Sequence, residues 1–500
     1  MNAKYLILRM GIVINQSIKN TAITYFGFGI GAVNALFLYT NFLGKMHYGI
    51  VAFLLSAANI MMPLMSFGVH STLIRFYSKY KSDIEREKFM SFMLLMPLFL
   101  IIPISLICYF FYKQISFFLI DKNPEIETFL WLIPIIGICM GYFEVFYSWV
   151  KVHLKSVIGN FISEVLVRII VFLMLFAVHL DFLTKKQFIY GLFFAYFLQF
   201  FIMLLYALKV KFPILKFSIP TDFDALFGYS FFIIMSGGIA VLLMDLDKVM
   251  LQSYVKIENI ALYSVAIFIA TVIMVPSRAM MQIIYPITAK LMNENKLDDL
   301  NDLYKKSAIN LQVFSGLIML GIFVNIKQLY LIIPDNYSDG ISIVFIIGLT
   351  KFYDSILGNN NAIILNTKHY RTVLYFGLLL TFMMIVLNIL LIPKYGIEGS
   401  AWATLISVLV YNTIKLYFVV NKMNLYPFTN KTLHSFGIIL FIFLGFYFWE
   451  FPFHPILNIV LKSILICMIY IYLNYKMKIS TEINELIKKL FISINKIKYL

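Results

Sequence analysis

Long apolar stretches alternate with short polar ones along the whole chain, and each stretch is close to the roughly 20 helical residues that a bilayer's hydrocarbon core requires. Such stretches are read at 21–39, 46–68, 89–112, 128–149, 157–178, 188–208, 229–250, 259–284, 307–327, 340–361, 372–392, 399–420, 433–449 and 455–474. Inside a membrane the backbone must satisfy its own hydrogen bonds, so each stretch predicts a helix. The expected fold class is an all-α polytopic membrane protein with about 14 transmembrane helices. Span 340–361 holds Lys351 and Asp354, and span 433–449 is short.

Composition agrees: 61% of the residues are hydrophobic and 13% are charged. A formal charge of +16 would suggest nucleic acid in a soluble protein, but its placement says otherwise. With the N-terminus in the cytoplasm, the cytoplasmic loops and tails hold more than three times the Lys and Arg of the opposite loops. That asymmetry is the positive-inside pattern. It predicts a multi-pass protein of the bacterial cytoplasmic (inner) membrane with both termini cytoplasmic, and no nucleic-acid partner. The first span follows Lys4, Arg9 and Lys19 and lacks a small-residue cleavage site, so it reads as retained, and Met10 is an alternative start. Cys108, Cys139 and Cys467 all fall within apolar stretches and form neither a metal spacing nor a disulfide framework.

No soluble domain is expected, since the longest loops (69–88, 209–228 and 285–306) are all mixed-charge connectors. An internal repeat is discernible. Tyr48-Gly49-Ile50-Val51-Ala52-Phe53 leads to Pro63, and Ala261-Leu262-Tyr263-Ser264-Val265-Ala266 leads to Pro276 at nearly the same interval. Gly191-x-x-x-Ala195 is matched by Gly399-x-x-x-Ala403. Spans 1–6 and 7–12 then form two six-helix lobes around a central cavity, related by an axis along the membrane normal. The expected division is 1–216 and 217–425 for the lobes, 426–476 for an appended helix pair, and 477–500 for a cytoplasmic tail. In that tail Ile483, Leu486, Ile487, Leu490, Phe491, Ile494 and Ile497 follow helical spacing, with Lys488, Lys489, Lys496 and Lys498 on the other face. Glu482 and Glu485 sit in its first turn, and a cationic amphipathic helix on the inner leaflet is expected.

The chain offers no Ser/His/Asp set, paired-His metal motif or Gly-rich phosphate loop, so no catalytic residue, metal or cofactor is expected and the protein is not read as an enzyme. The seven His residues are scattered at span edges. Charge inside the hydrocarbon is more informative, because each Lys, Arg or Asp there costs roughly 2.5–3.5 kcal/mol and tends to face a cavity or a partner. The positions are Glu144, Glu164, Arg168, Asp245, Asp247, Lys248, Arg278, Lys351, Asp354, Lys415 and Lys462, nearly balanced in sign. Glu164 with Arg168, and Lys351 with Asp354, have the spacing of internal ion pairs. Lys415 and Lys462 lie near helix ends and are expected to snorkel.

Asp245 and Asp247 are about 200° apart around a helix, so one helix face cannot satisfy both. With Lys248 they are expected to line the cavity, with structural pairing as the alternative. Arg75 and Arg278 hold related places in the two repeats, for substrate contact or for anchoring. Asn359, Asn360 and Asn361 are costly in lipid and would bind a headgroup or neighbouring helices.

Several stretches resemble the multidrug/oligosaccharidyl-lipid/polysaccharide (MOP) exporter superfamily, in particular its O-antigen flippase branch. Phe67-Gly68-Val69-His70-Ser71-Thr72-Leu73-Ile74-Arg75-Phe76 is similar to that family's Gly followed by aliphatic-Arg-aromatic. Asp247-Lys248-Val249-Met250-Leu251, then Tyr263-Ser264-Val265-Ala266, resembles its Asp-(Lys/Arg) helix and following Tyr-Ser-x-Ala helix. The fullest likeness is Asn388 with Ile392-Pro393-Lys394-Tyr395-Gly396-Ile397-Glu398-Gly399-Ser400-Ala401-Trp402-Ala403-Thr404.

The resemblance implies a two-lobed transporter that moves an undecaprenyl-diphosphate-linked oligosaccharide (an O-antigen, capsule or exopolysaccharide unit) between leaflets by alternating access. It further implies H+ or Na+ as a coupling ion, membrane lipids as surroundings, and a polysaccharide polymerase and glycosyltransferases as partners. A cation-coupled multidrug antiporter of the same superfamily is the alternative, although the first span holds no carboxylate. A lipid II flippase would need basic cavity residues that are not evident. An integral-membrane glycosyltransferase or polymerase would need a larger extracytoplasmic loop than 113–127.

Overall fold

The computed structural model describes residues 3–212, 220, 222–334, 337–367, 369, 371–485 and 488. Among the tail positions expected on an amphipathic helix, Leu486, Ile487, Lys489, Leu490, Phe491, Ile494, Lys496, Ile497 and Lys498 lie outside the described residues. What is described is helical, with no strand among the described residues. It forms two compact units, Met1–Ser264 and Val265–Leu500.

The first unit begins with α1 (Ala3–Val33), which widens into a π-helical stretch over Asn34–Leu43, then α2 (Gly44–Met65) and the short α3 (Val69–Phe76). Then come α4 (Asp83–Leu95), α5 (Leu98–Phe110), α6 (Tyr112–Ile120), α7 (Leu132–Val152) and α8 (Ser156–Phe161). A second π-helical stretch, Ile162–Leu166, leads into α9 (Val167–His179), followed by α10 (Lys185–Val210), α11 (Phe223–Leu251) and α12 (Ile257–Thr271), which runs across the boundary between units. The second unit continues with α13 (Val275–Asn293), α14 (Leu297–Ile332), α15 (Ile341–Ile356), α16 (Asn360–Leu365), α17 (Thr372–Met423), α18 (Asn430–Tyr447) and α19 (Pro455–Lys476).

Local chemistry sets the ends. Ser82 accepts the Glu85 amide at 3.1 Å to start α4, and Thr184 and Gln187 form a reciprocal capping box on α10. Between α2 and α3 the chain turns through Phe67 (φ 50°) and Gly68 (φ 63°). A β-carbon at Gly68 would stand 2.5 Å from the Ser230 carbonyl, so glycine is required there for both conformation and space.

Among the described residues ten helices are long and apolar enough to cross a membrane, or eleven counting α11, which bends by 57° between Ile239 and Val241. Two of these helical segments, Lys19–Lys79 and Thr372–Met423, each contain two of the expected spans. Expected span 340–361 is not one helix: α15 stops at Ile356 and α16 starts at Asn360, with Gly358 (φ 58°) between them. Large apolar side chains cover the outside: Tyr109, Phe110, Leu433 and Phe441 are each more than two-thirds exposed. On helices of this length such a surface is the one that meets lipid.

Within the first unit α2 packs against α7 and α11, and α7 against α10. Its core is built from Phe67, Leu73, Phe89, Met93, Phe143 and Trp149. In the second unit α14 is central, touching α13, α15, α18 and α19. A smaller core there joins Leu300, Tyr304, Ile363, Ile364 and Val419.

Candidate functional site: charges held inside the spanning helices

The DLDK run on α11 splits between two neighbours. The Asp245 carboxylate accepts from Ser56 Oγ at 2.7 Å and Asn59 Nδ2 at 3.1 Å, both on α2, and from Lys248 Nζ at 3.0 Å one turn along α11. Lys248 Nζ also donates to Ser56 Oγ at 3.1 Å. Asp247 accepts from Tyr263 OH on α12 at 2.7 Å. Both carboxylates are buried, so two separate helix faces satisfy them, as their angular spacing requires. Ser56 and Asn59 were missed from sequence, although their spacing of three places them on one face of α2. Tyr263 belongs to the Tyr263-Ser264-Val265-Ala266 stretch, where nothing in the local sequence marks it as a donor to α11.

Glu164 and Arg168 do pair, at 2.9 Å. Glu164 sits on the second π-helical stretch and Arg168 in the first turn of α9, and both side chains are about one-third exposed. Tyr196 on α10 is within electrostatic reach of both Arg168 and Asp245, and Glu144 on α7 within reach of Glu164 and Lys151. Arg75 is exposed, with its guanidinium 4.3 Å from the centre of the Tyr229 ring. Glu164–Arg168 and Asp245–Lys248 each form their own ion pair, and Arg75 stacks on Tyr229.

In the second unit, Asn359 donates to Thr288 Oγ1 at 2.8 Å and accepts from Ser307 Oγ at 3.3 Å, so it ties α13 to α14. Asn360 is buried, and among the described residues neither polar atom of its amide has a partner. Arg278 is exposed, and Lys351 is half-buried. Asp354 accepts from Asn412 Nδ2 at 2.9 Å.

Two lysines depart from expectation. Lys415 does not snorkel: it is 1% exposed, donates to Asn361 Oδ1 at 2.8 Å, and stands 4.1 Å from the centre of the Tyr411 ring. Lys462 is fully buried, donating to the Val324 carbonyl at 3.0 Å with Glu450 Oε1 3.2 Å away. Glu450 in turn accepts from Gln328 and Asn458. Proximity to a helix end in sequence had suggested an exit to water, but packing against α16 for Lys415 and α14 for Lys462 closes it. Among the described residues no group of three His, Cys, Asp or Glu side chains could hold a metal ion.

Spanning helices with charges of both signs in their interior and lipid-compatible exteriors define a multi-pass membrane protein. Its fold is shared with transporters of the MOP superfamily. The structure of lipid II flippase MurJ in an inward closed conformation superposes with a TM-score of 0.70 over 92% of this chain and 100% of that one, at 18% identity. The inward-facing conformation of a multidrug resistance MATE family transporter gives 0.61 over 81% and 98%, at 13% identity. The MATE multidrug transporter DinF-BH gives 0.56 over 83% and 97%, at 15% identity. The chain itself belongs to the polysaccharide biosynthesis protein family, whose model matches residues 14–292. No curated protein sequence matches it.

Proposed function

We propose that the protein is a flippase moving an undecaprenyl-diphosphate-linked oligosaccharide from the inner to the outer leaflet of the bacterial cytoplasmic membrane by alternating access. The observation that carries this reading is the family match across residues 14–292, together with cations retained inside spanning helices in that same stretch. A diphosphate joined to a sugar is anionic and rich in hydroxyls, so it needs cationic forks and amide or hydroxyl partners away from lipid. Arg75, Arg168, Lys248, Arg278 and Lys351, with Asn359 and Asn360, are the groups of that chemistry. Asp245, Asp247 and Glu164 hold or balance the cations.

In this reading residues 1–216 and 217–425 act as the two lobes, 426–476 as an appended pair and 477–500 as a cytoplasmic tail. Both termini face the cytoplasm, glycosyltransferases supply the substrate, a polymerase consumes it, and H+ or Na+ supplies the drive.

The test uses a strain lacking the protein, with lipid-linked sugars extracted and assigned to leaflets. A completed oligosaccharide accumulating on the cytoplasmic leaflet, relieved by the wild-type gene but not by Arg278→Ala or Asp247→Ala, supports the reading. The second reading, a cation-coupled multidrug antiporter, is favoured by the buried carboxylates of the first unit. Loss of drug tolerance without any accumulation would select it.

A further inference from the structure

The π-helical stretch at Ile162–Leu166 frees backbone carbonyls from their usual partners one turn on, and side chains take them up. Gln199 Nε2 on α10 donates to the Ile162 carbonyl at 3.2 Å. Arg168 Nη1 donates to the Glu164 carbonyl at 2.5 Å and to Glu164 Oε2 at 2.9 Å. Asn34 Nδ2, where the other π-helical stretch begins, donates to the Arg168 carbonyl at 2.9 Å. The guanidinium is therefore fixed at its Nη1 corner and at the backbone beneath it.

Its other edge is uncommitted. A guanidinium carries five N–H donors, and among the described residues every hydrogen bond of the Arg168 side chain runs through Nη1. The Nε–Nη2 edge is the one that binds an anionic oxygen pair bidentately. Helix α1 lays bare backbone against the side chain: a β-carbon at Gly27 would lie 2.4 Å from the Glu164 carbonyl oxygen and 2.7 Å from Nη1, and one at Gly31 3.3 Å from Nε. The side chain keeps about one-third of its surface open, although it stands in the middle of a spanning stretch. The glycines of α1 answer to this close packing, but a structural ion pair would have no need of an open fork.

We propose that Arg168 is a phosphate-recognising residue whose Nε–Nη2 fork binds the phosphate of a lipid-borne headgroup, with Glu164 as the positioning residue that presents it. The proposal deepens the flippase reading and rests on it for the source of the phosphate, a polyprenyl diphosphate. A phospholipid headgroup offers the same chemistry. The Glu164 carboxylate lies on the pinned Nη1 side of the guanidinium, and so leaves the Nε–Nη2 edge to an incoming anion.

The test measures binding of farnesyl diphosphate to the full chain in phosphatidylcholine nanodiscs, with farnesol, inorganic diphosphate and dioctanoyl phosphatidylglycerol as competitors. Wild type should bind farnesyl diphosphate and not farnesol. Arg168→Lys, which keeps the charge and loses the fork, and Arg168→Gln should each weaken binding by about tenfold or more in protein that still unfolds cooperatively. Gly31→Ala, whose methyl crowds Nε, should weaken it with the ion pair intact. Glu164→Gln should weaken binding and narrow the gap between wild type and Arg168→Lys, which a merely structural carboxylate would not do.

Equal competition by phosphatidylglycerol supports phosphate recognition and assigns the fork to phosphodiester headgroups. Undiminished affinity in Arg168→Lys overturns the proposal. If that variant also relocates lipid-linked sugar normally, the flippase reading survives alone. A wild-type protein that neither binds the probe nor relocates the sugar sinks both.

Discussion

Asp245 and Asp247, two residues apart on α11, are bound by different helices: Asp245 by Ser56 and Asn59 of α2, and Asp247 by Tyr263 of α12. Helix α11 is thereby tied on two sides by charge-assisted bonds in a stretch with no water to replace them. Removing Asp245 alone leaves the mostly buried Lys248 beside a neutral hydroxyl. Asp245→Asn and Lys248→Met should each lower stability, and the double variant should lose less than their sum, with a coupling of about 1–3 kcal/mol. Thermal unfolding of the four proteins in one detergent measures this, and strict additivity would refute the pairing.

Lys462 makes an ion pair with Glu450 whose geometry falls short of a hydrogen bond, and the Val324 carbonyl supplies the aligned contact. Breaking one partner of a buried pair is more damaging than removing both. Glu450 is partly exposed, so Lys462→Met should destabilise the protein by about 1.5–3 kcal/mol, and Lys462→Met with Glu450→Gln should recover part of that loss. A double variant as unstable as the single one would show that the lysine stem, not its charge, matters.

Asn123 closes three hydrogen bonds onto the turn between α11 and α12. It donates to the Gln252 and Val255 carbonyls at 2.7 and 3.0 Å and accepts the Ile257 amide at 2.7 Å. Asn123→Ala should speed amide hydrogen exchange over Gln252–Ile257 by about tenfold or more, while exchange at the middle of α7 stays unchanged. Uniform acceleration would point instead to global loosening.

Burial holds the His153 imidazole below its usual range, opposed by its bond to the Trp149 carbonyl and reinforced by Lys211 and Lys155. A base whose folded pKa is depressed binds fewer protons folded than unfolded, so its contribution is present above the unfolded pKa and lost as pH falls. Acidification from neutrality through the ordinary histidine range should lower the melting temperature, and His153→Phe should flatten that dependence. An unchanged slope in the variant would remove His153 from the account.

Much of the membrane architecture was legible because hydropathy and loop charge depend only on local composition. The Glu164–Arg168 pair was legible for the same reason, since a spacing of four on a helix is a local fact. Lys415 and Lys462 were misjudged because snorkelling depends on what surrounds a helix end, and the groups that hold them, Asn361 on α16 and the Val324 carbonyl on α14, are distant in sequence. The break at Gly358 was also hidden: it answers to Ser307 and Ala308 on another helix, against which a β-carbon would press. The π-helical stretches left no composition signal at all, since Ile162–Leu166 reads like any apolar turn with one acid.

Gly44 (φ 73°) and Gly396 (φ 57°) each reverse or bend the chain within an otherwise continuous helical segment, with almost no intervening loop. This has a practical bearing on topology mapping. Reporter fusions and epitope tags need slack on both flanks, and these two junctions offer none: a tag at either would pry apart helices whose spacing is one residue wide. The α9–α10 connection, exposed at Asp181 and Phe182, has that slack. Sandwich fusions placed there should leave the protein at normal abundance, whereas insertions at 44 or 396 should be degraded, so silence from those two positions would report lost folding rather than sidedness.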